Sequence, residues 1–173
     1  RKLTMPAILI IVIGLVSCNK SNDSQNALGE KNKAIADKFL QALKTGDITT
    51  FAELLADDFM DYGPVLGDSS TKTEFLASQK QMFEETLNPC GYERIASIAY
   101  STKEGGDWVF DWGNLTLNLK NGSTTKIKFH FVLRVKDGKI NLNSSFFNEA
   151  DYMRQLGYKF VPPGEEKSVE PTK

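Results

Sequence analysis

The chain has 173 residues, with 21 Lys+Arg against 22 Asp+Glu, one His and a formal net charge of -1. It holds no Lys/Arg run long enough to form a basic stripe, which argues against a nucleic-acid partner, because phosphate-backbone binding depends on clustered cations. Two cysteines and a single histidine cannot assemble a zinc-type cluster of soft ligands, so neither a metal nor another cofactor is expected.

Arg1 and Lys2 precede an apolar run from Leu3 to Val16. The run falls short of the roughly 20 residues a membrane span needs, and its basic start and small-residue end are those of an export signal. Its last residues, Leu15-Val16-Ser17-Cys18, resemble the lipobox of bacterial lipoproteins. The resemblance implies cleavage before Cys18, diacylglycerol on its sulfur and an acyl group on the new amino terminus. Several acyl chains hold a protein firmly where one, at roughly 0.8 kcal/mol per buried CH2, holds it marginally. The expected location is the bacterial cell envelope, lipid-anchored to a membrane facing the periplasm or in the outer membrane. An ordinary signal peptide with an incidental cysteine is the alternative. On this reading 1–18 is the signal with its lipid-attachment residue Cys18, and 19–28, polar from Asn19 to Asn26, is a flexible tether. Residues 29–161 form one domain and 162–173 a loose tail containing Pro162-Pro163-Gly164.

The first half of the domain reads as helical. Ile35, Phe39, Ala42 and Leu43 recur at helical spacing between Lys31 and Lys44, Gly46 stops that helix, and Asp47 can cap the next, which carries Ile48, Phe51, Leu54 and Leu55. Phe59 to Tyr62 reads as a short strand ended by Gly63-Pro64. Thr71 with Glu74 has capping-box spacing and opens a third helix bearing Phe75, Gln79, Met82, Phe83 and Leu87.

From Tyr92 onward the signals are strands with tight turns: Tyr92–Thr102, Trp108–Lys120, Thr124–Lys136 and Lys139–Phe147, the last two joined by Asp137-Gly138. This predicts an antiparallel meander. Ile127, Phe129, Phe131, Leu133 and Val135 alternate with Lys126, Lys128, His130, Val132 and Arg134, so one face is buried and the other largely polar. In the run before it, Leu115, Leu117 and Leu119 have one parity and Trp108, Phe110 and Trp112 the other, which suggests a bulge at Gly113 and a bent strand. Cys90, in the turn Asn88-Pro89-Cys90-Gly91, has no neighbouring cation in sequence to activate it and reads as a packed, inert thiol.

Four pieces in order carry a family resemblance: Phe39-Leu40-Gln41-Ala42-Leu43-Lys44-Thr45-Gly46-Asp47, Leu54-Leu55-Ala56-Asp57-Asp58-Phe59, Asp137-Gly138-Lys139-Ile140 and Met153-Arg154-Gln155-Leu156-Gly157. They resemble the SnoaL-like, polyketide cyclase-like branch of the nuclear transport factor 2-like superfamily. That resemblance implies an α+β fold, a cone-shaped curved antiparallel sheet wrapped around N-terminal helices as in cystatin-like folds. It also implies an internal pocket and frequent dimerisation through the outer sheet face. Catalytic members resembling ketosteroid isomerases place an acid in the pocket to move a proton beside a carbonyl. In many SnoaL-like sequences the last strand supplies such an acid and the final helix cap another. Counted back from Arg154-Gln155-Leu156-Gly157, those places hold Ser145 and Asn148, which do not ionise near neutral pH.

No catalytic residue is therefore assigned, and the remaining acidic candidates are Asp111 and Asp61. Asp111 sits between Phe110 and Trp112; burial there would make it a usable base, and the favoured alternative points it outward into water. Asp61 is open in the same way. His130 shares the parity of Lys128 and Arg134 and is expected on the outer or dimer face. Phe59, Tyr62, Trp112, Phe131 and Phe147 are candidate pocket walls, with Asn114, Asn143 and Ser145 as candidate hydrogen-bonding groups; the alternative is that the aromatics simply fill the core. Three functions follow in order of preference: a tethered domain holding a small, partly apolar molecule; an isomerase, cyclase or hydratase using a pocket Asp; and a protein-binding or homodimerising module working through the outer sheet.

Overall fold

The computed structural model describes residues 17–86, 90–102 and 105–161. The helices are α1 (Ser17–Thr45), α2 (Ile48–Leu54), α3 (Lys72–Gln81) and α4 (Glu149–Gln155). The strands are β1 (Leu55–Tyr62), β2 (Ser69–Thr71), β3 (Gly91–Thr102), β4 (Gly106–Asn118), β5 (Thr124–Lys136) and β6 (Lys139–Phe147). One turn of π-helix, Met82–Thr86, follows α3. The apolar run 3–16 and the tail 162–173 lie outside the described residues, and no described helix is long and apolar enough to cross a membrane.

Helix α1 buries Ala36, Phe39, Leu40 and Leu43, an i, i+3, i+4, i+7 stripe that faces the sheet. It is longer than its apolar stripe predicts. The backbone is already helical at Ser17, so the segment 19–28 expected as a tether is part of α1. Polar Asn and Ser residues are poor helix formers, but extending an existing helix fixes one residue per added hydrogen bond and avoids the cost of nucleation. Gly46 (φ +70°) makes the turn out of α1 in a conformation that side chains disfavour. Asp47 then caps α2 by accepting from the Thr50 amide at 3.0 Å. Thr71 and Glu74 close the capping box of α3, and Asn148 caps α4 by accepting from the Asp151 amide at 2.9 Å.

The six strands run in the order β2-β1-β6-β5-β4-β3. All neighbours are antiparallel except β1 and β6, which pair in parallel (Asp61 opposite Asn143). That pairing joins strands about eighty residues apart, and no local turn signal announces it. Phe39, Phe51, Phe59, Phe75 and Phe131 fill the space between helices and sheet, with Phe39 at 5.0 Å from Phe51 and 5.7 Å from Phe131, both edge-on. Each such ring, taken fully from water, contributes about 1.5–3 kcal/mol.

The bend in the sheet is not where parity alone places it. Strand β4 keeps one alternation throughout: Val109, Asp111, Gly113 and Leu115 are buried, while Trp108, Phe110, Trp112 and Asn114 have the opposite parity. The extra residue is Ile95 on β3, where the register shifts between Arg94 and Ala96 opposite Gly113 and Trp112. Gly113 is nonetheless required, since a Cβ there would fall 2.2 Å from the Glu93 carbonyl oxygen. The two apolar parities of β4 thus mark two apolar faces rather than a switch.

Candidate functional site

Between the helices and the concave face of the sheet lies a cavity of about 270 Å³. Helices supply Phe39, Leu43, Phe51 and Phe75; β4 and β5 supply Leu115, Leu117, Ile127, Phe129 and Phe131; Phe147 and Tyr152 complete the apolar wall. Phe129 stacks on Phe147 at 5.3 Å and lies 4.5 Å from Phe131. The polar groups are Asp61 on β1, Asn143 and Ser145 on β6, and Gln79 on α3. Asn143 and Ser145 point inward because they share the parity of Phe147, opposite exposed Phe146.

Parallel pairing of β1 with β6 brings Asp61 and Asn143 side by side. Asn143 Nδ2 donates to Asp61 Oδ1 at 2.5 Å. Burial pushes the Asp61 carboxyl above the usual carboxylate range; the Asn143 hydrogen bond opposes that rise, and the nearby charge of Asp68 adds to it. Asn143 is 3% exposed, and its Oδ1 has no hydrogen-bond partner. An amide carbonyl left dry and unpaired costs about 1–3 kcal/mol.

Of the residues singled out in the sequence, Asp61, Phe131, Asn143, Ser145 and Phe147 line this cavity. Phe59 is buried against Phe75 in the core, and Tyr62 is exposed at the end of β1. Trp112 and Asn114 must be corrected from wall to exterior. Trp112 stacks on exposed His130 at 6.3 Å, and Asn114 donates to Glu93 at 3.1 Å on that same outer face. The expectation for Asp111 also reverses, because it points inward with its side chain fully buried. It does not line the cavity. Its Oδ1 accepts from Tyr92 Oη at 2.8 Å, and its Oδ2 meets Arg94 at 2.7 Å in a charge contact rather than an aligned hydrogen bond. Arg94 reaches Asp37 of α1 at 2.6 Å, so the four residues tie that helix to the sheet. Tyr92 ionisation is pushed well up by burial and by this hydrogen bond. Its ring lies 5.9 Å from Phe131, which places the network against the cavity wall.

Cys90 is buried, donates to the Leu43 carbonyl at 3.3 Å, and has its thiol pushed up to about 11 by burial. That is an inert thiol at neutral pH. Cys18 falls on the first turn of α1, and its side chain lies outside the described residues. The sequence did not single out the helix residues of the wall. Gln79 within the apolar stripe of α3 was the available signal, since a polar residue on a buried face needs something polar to meet.

The architecture is an α+β cone closed on a mostly apolar pocket with a few polar groups. The SnoaL-like domain family model matches residues 36–143, more than half of the chain, and the protein belongs to that family. Similar solved structures include an LEH-like epoxide hydrolase of M. tuberculosis (19% identity, 74% of this chain and 90% of that one, TM-score 0.60). AclR, a putative hydroxylase from Streptomyces galilaeus, is similar at 14% identity over 78% of this chain and 87% of that one, with a TM-score of 0.64. A putative isomerase from Bacillus subtilis is similar at 16% identity over 77% and 97%, with a TM-score of 0.60. At these identities the likeness is one of fold. No curated protein matches the sequence.

Proposed function

We propose that the protein is a membrane-tethered SnoaL-like domain that holds a small, largely apolar molecule in the cone. The observation that carries this reading is the open 270 Å³ cavity, walled by aromatic and aliphatic side chains, with Asp61, Asn143 and Ser145 as its orienting polar groups. A solid interior would have argued for packing alone. The neutral ketone 4-phenylbutan-2-one is a suitable first probe. Its binding should shift the amide resonances of Ile127, Phe129, Asn143 and Phe147 and leave Trp108 and Trp112 unmoved. Leu117→Trp, which fills the cavity, should weaken binding at least tenfold. Shifts confined to the outer face would refute the reading.

Asp61 supports a second, catalytic reading, because a carboxyl raised by apolar surroundings is a competent proton acceptor beside a carbonyl. The Asp61 carboxylate would take a proton from the carbon next to the ketone, leaving an enolate, and return a proton to it. In D2O the ketone would then gain deuterium at that carbon. Asp61→Asn should slow the enzyme-dependent exchange by about 10²–10⁴-fold. No exchange above the protein-free rate leaves a binding protein.

Tethering rests on the lipobox resemblance at Cys18, and radiolabelled palmitate on the mature chain should vanish in Cys18→Ala. Homodimerisation through the outer sheet is supported by its exposed apolar side chains, Ile95, Ile98, Tyr100, Phe110 and Phe146. Sedimentation of wild type and Phe110→Glu tests it, with a monomeric wild type as the refuting result.

A further inference from the structure

We infer that the molecule held in the cone is a cationic amine, an ammonium group on an apolar body of about ten carbons or fewer. The inference deepens the ligand-binding reading and depends on it. The polar corner of the cavity offers acceptors and lacks a positive charge. Asn143 turns its amide nitrogen to Asp61 and thereby leaves its own Oδ1 unpartnered in a side chain 3% exposed. Among the described residues Asp61 is held by that one side-chain donor, and no Lys, Arg or His lines the cavity. Among the described residues Asp61 forms no ion pair, and the charged group that acts on it, Asp68, is of like sign. A half-dry carboxylate beside an orphaned carbonyl is a costly arrangement unless a donor arrives.

An ammonium group supplies what is missing. It neutralises Asp61, and a further N–H can reach the Ser145 hydroxyl, which also lines the cavity. The rings of Phe129, Phe131 and Phe147 would receive the carbon body and present π faces to the charge. A carboxylate-bearing ligand would instead meet Asp61 with like charge. A ketone has no proton to give Asp61, and an alcohol donates one without bringing a charge.

The test is isothermal titration of the full chain in detergent at pH 7.5 with three probes on one skeleton: 4-phenylbutan-2-amine, 4-phenylbutan-2-ol and 4-phenylbutan-2-one. The amine should bind at least tenfold more tightly than either neutral compound. Asp61→Asn, which keeps an acceptor for Asn143, should shrink the margin of amine over ketone to threefold or less. Equal or tighter ketone binding to the wild type overturns the amine inference and leaves the pocket reading standing. An amine preference that survives intact in a folded Asp61→Asn protein overturns it as well. Failure of all three probes overturns both. If Asp61→Asn does not fold, the wild-type series alone decides.

Discussion

Arg94→Met is the most searching perturbation of this fold, because it removes the one cation between a fully buried carboxylate and an exposed one. Asp111 has its side chain fully buried, while that of Asp37 is 55% exposed, and Arg94 lies 2.7 Å and 2.6 Å from them. Stripping the partner from a buried charge costs about 3–5 kcal/mol. For a domain of this size that is a fall in Tm of about 10–15 °C. Asp37→Ala should cost only about 0–1 kcal/mol, since water can solvate what remains at a half-exposed pair. The triple variant Arg94→Met, Asp111→Leu, Tyr92→Phe removes the charges and the orphaned hydroxyl together. It should return to within about 1 kcal/mol of wild type, as apolar replacements of buried ion pairs often do. Urea unfolding followed by circular dichroism reads all three. Ketone binding should survive in the triple variant, because none of these residues lines the cavity. An Arg94→Met cost below about 1 kcal/mol, or an Asp37→Ala cost equal to it, would refute the buried-charge argument.

Asp61→Asn should change the pH dependence of stability. The folded state holds the Asp61 proton more tightly than the unfolded chain does, so the stability this group contributes is full below the unfolded carboxylate range and is lost as pH rises through the raised folded value. The variant should therefore be more stable than wild type at pH 7 and lose that advantage as pH falls below 4, read from Tm across pH; an advantage independent of pH would contradict the burial of the carboxyl. Gly113→Ala should destabilise by about 1–3 kcal/mol or more, because the backbone of β3 occupies the space its methyl needs; a neutral result in urea titration would mean that β3 can slide at the Ile95 bulge.

The helical stripe of α1, the capping box of α3, the hairpin turns and the alternation of β5 were legible because each is a local pattern, settled by neighbours within a few positions. The strand bounds Thr124–Lys136 and Lys139–Phe147 follow from that alternation and from the Asp137-Gly138 turn. So did the identity of Asn143, Ser145 and Phe147 as inward residues, once β6 was a strand. Trp112 and Asn114 were misplaced for the opposite reason. Where both faces of a strand are apolar, parity says which residues belong together and not which set is inside.

The sequence by itself determined most of the elements and their order, and for β5 which face is buried, since period and turn chemistry act over a few residues. Only the tertiary structure decided that β1 lies parallel to β6, and hence that Asp61 meets Asn143 across about eighty residues of chain. It likewise decided that Asp111 is spent on Arg94 and Tyr92 rather than on the cavity. Contacts at that separation depend on how the whole sheet bends, with register shifts at Ile95 on β3, between Ile140 and Leu142 on β6 and between Leu55 and Met60 on β1, and no local pattern carries them.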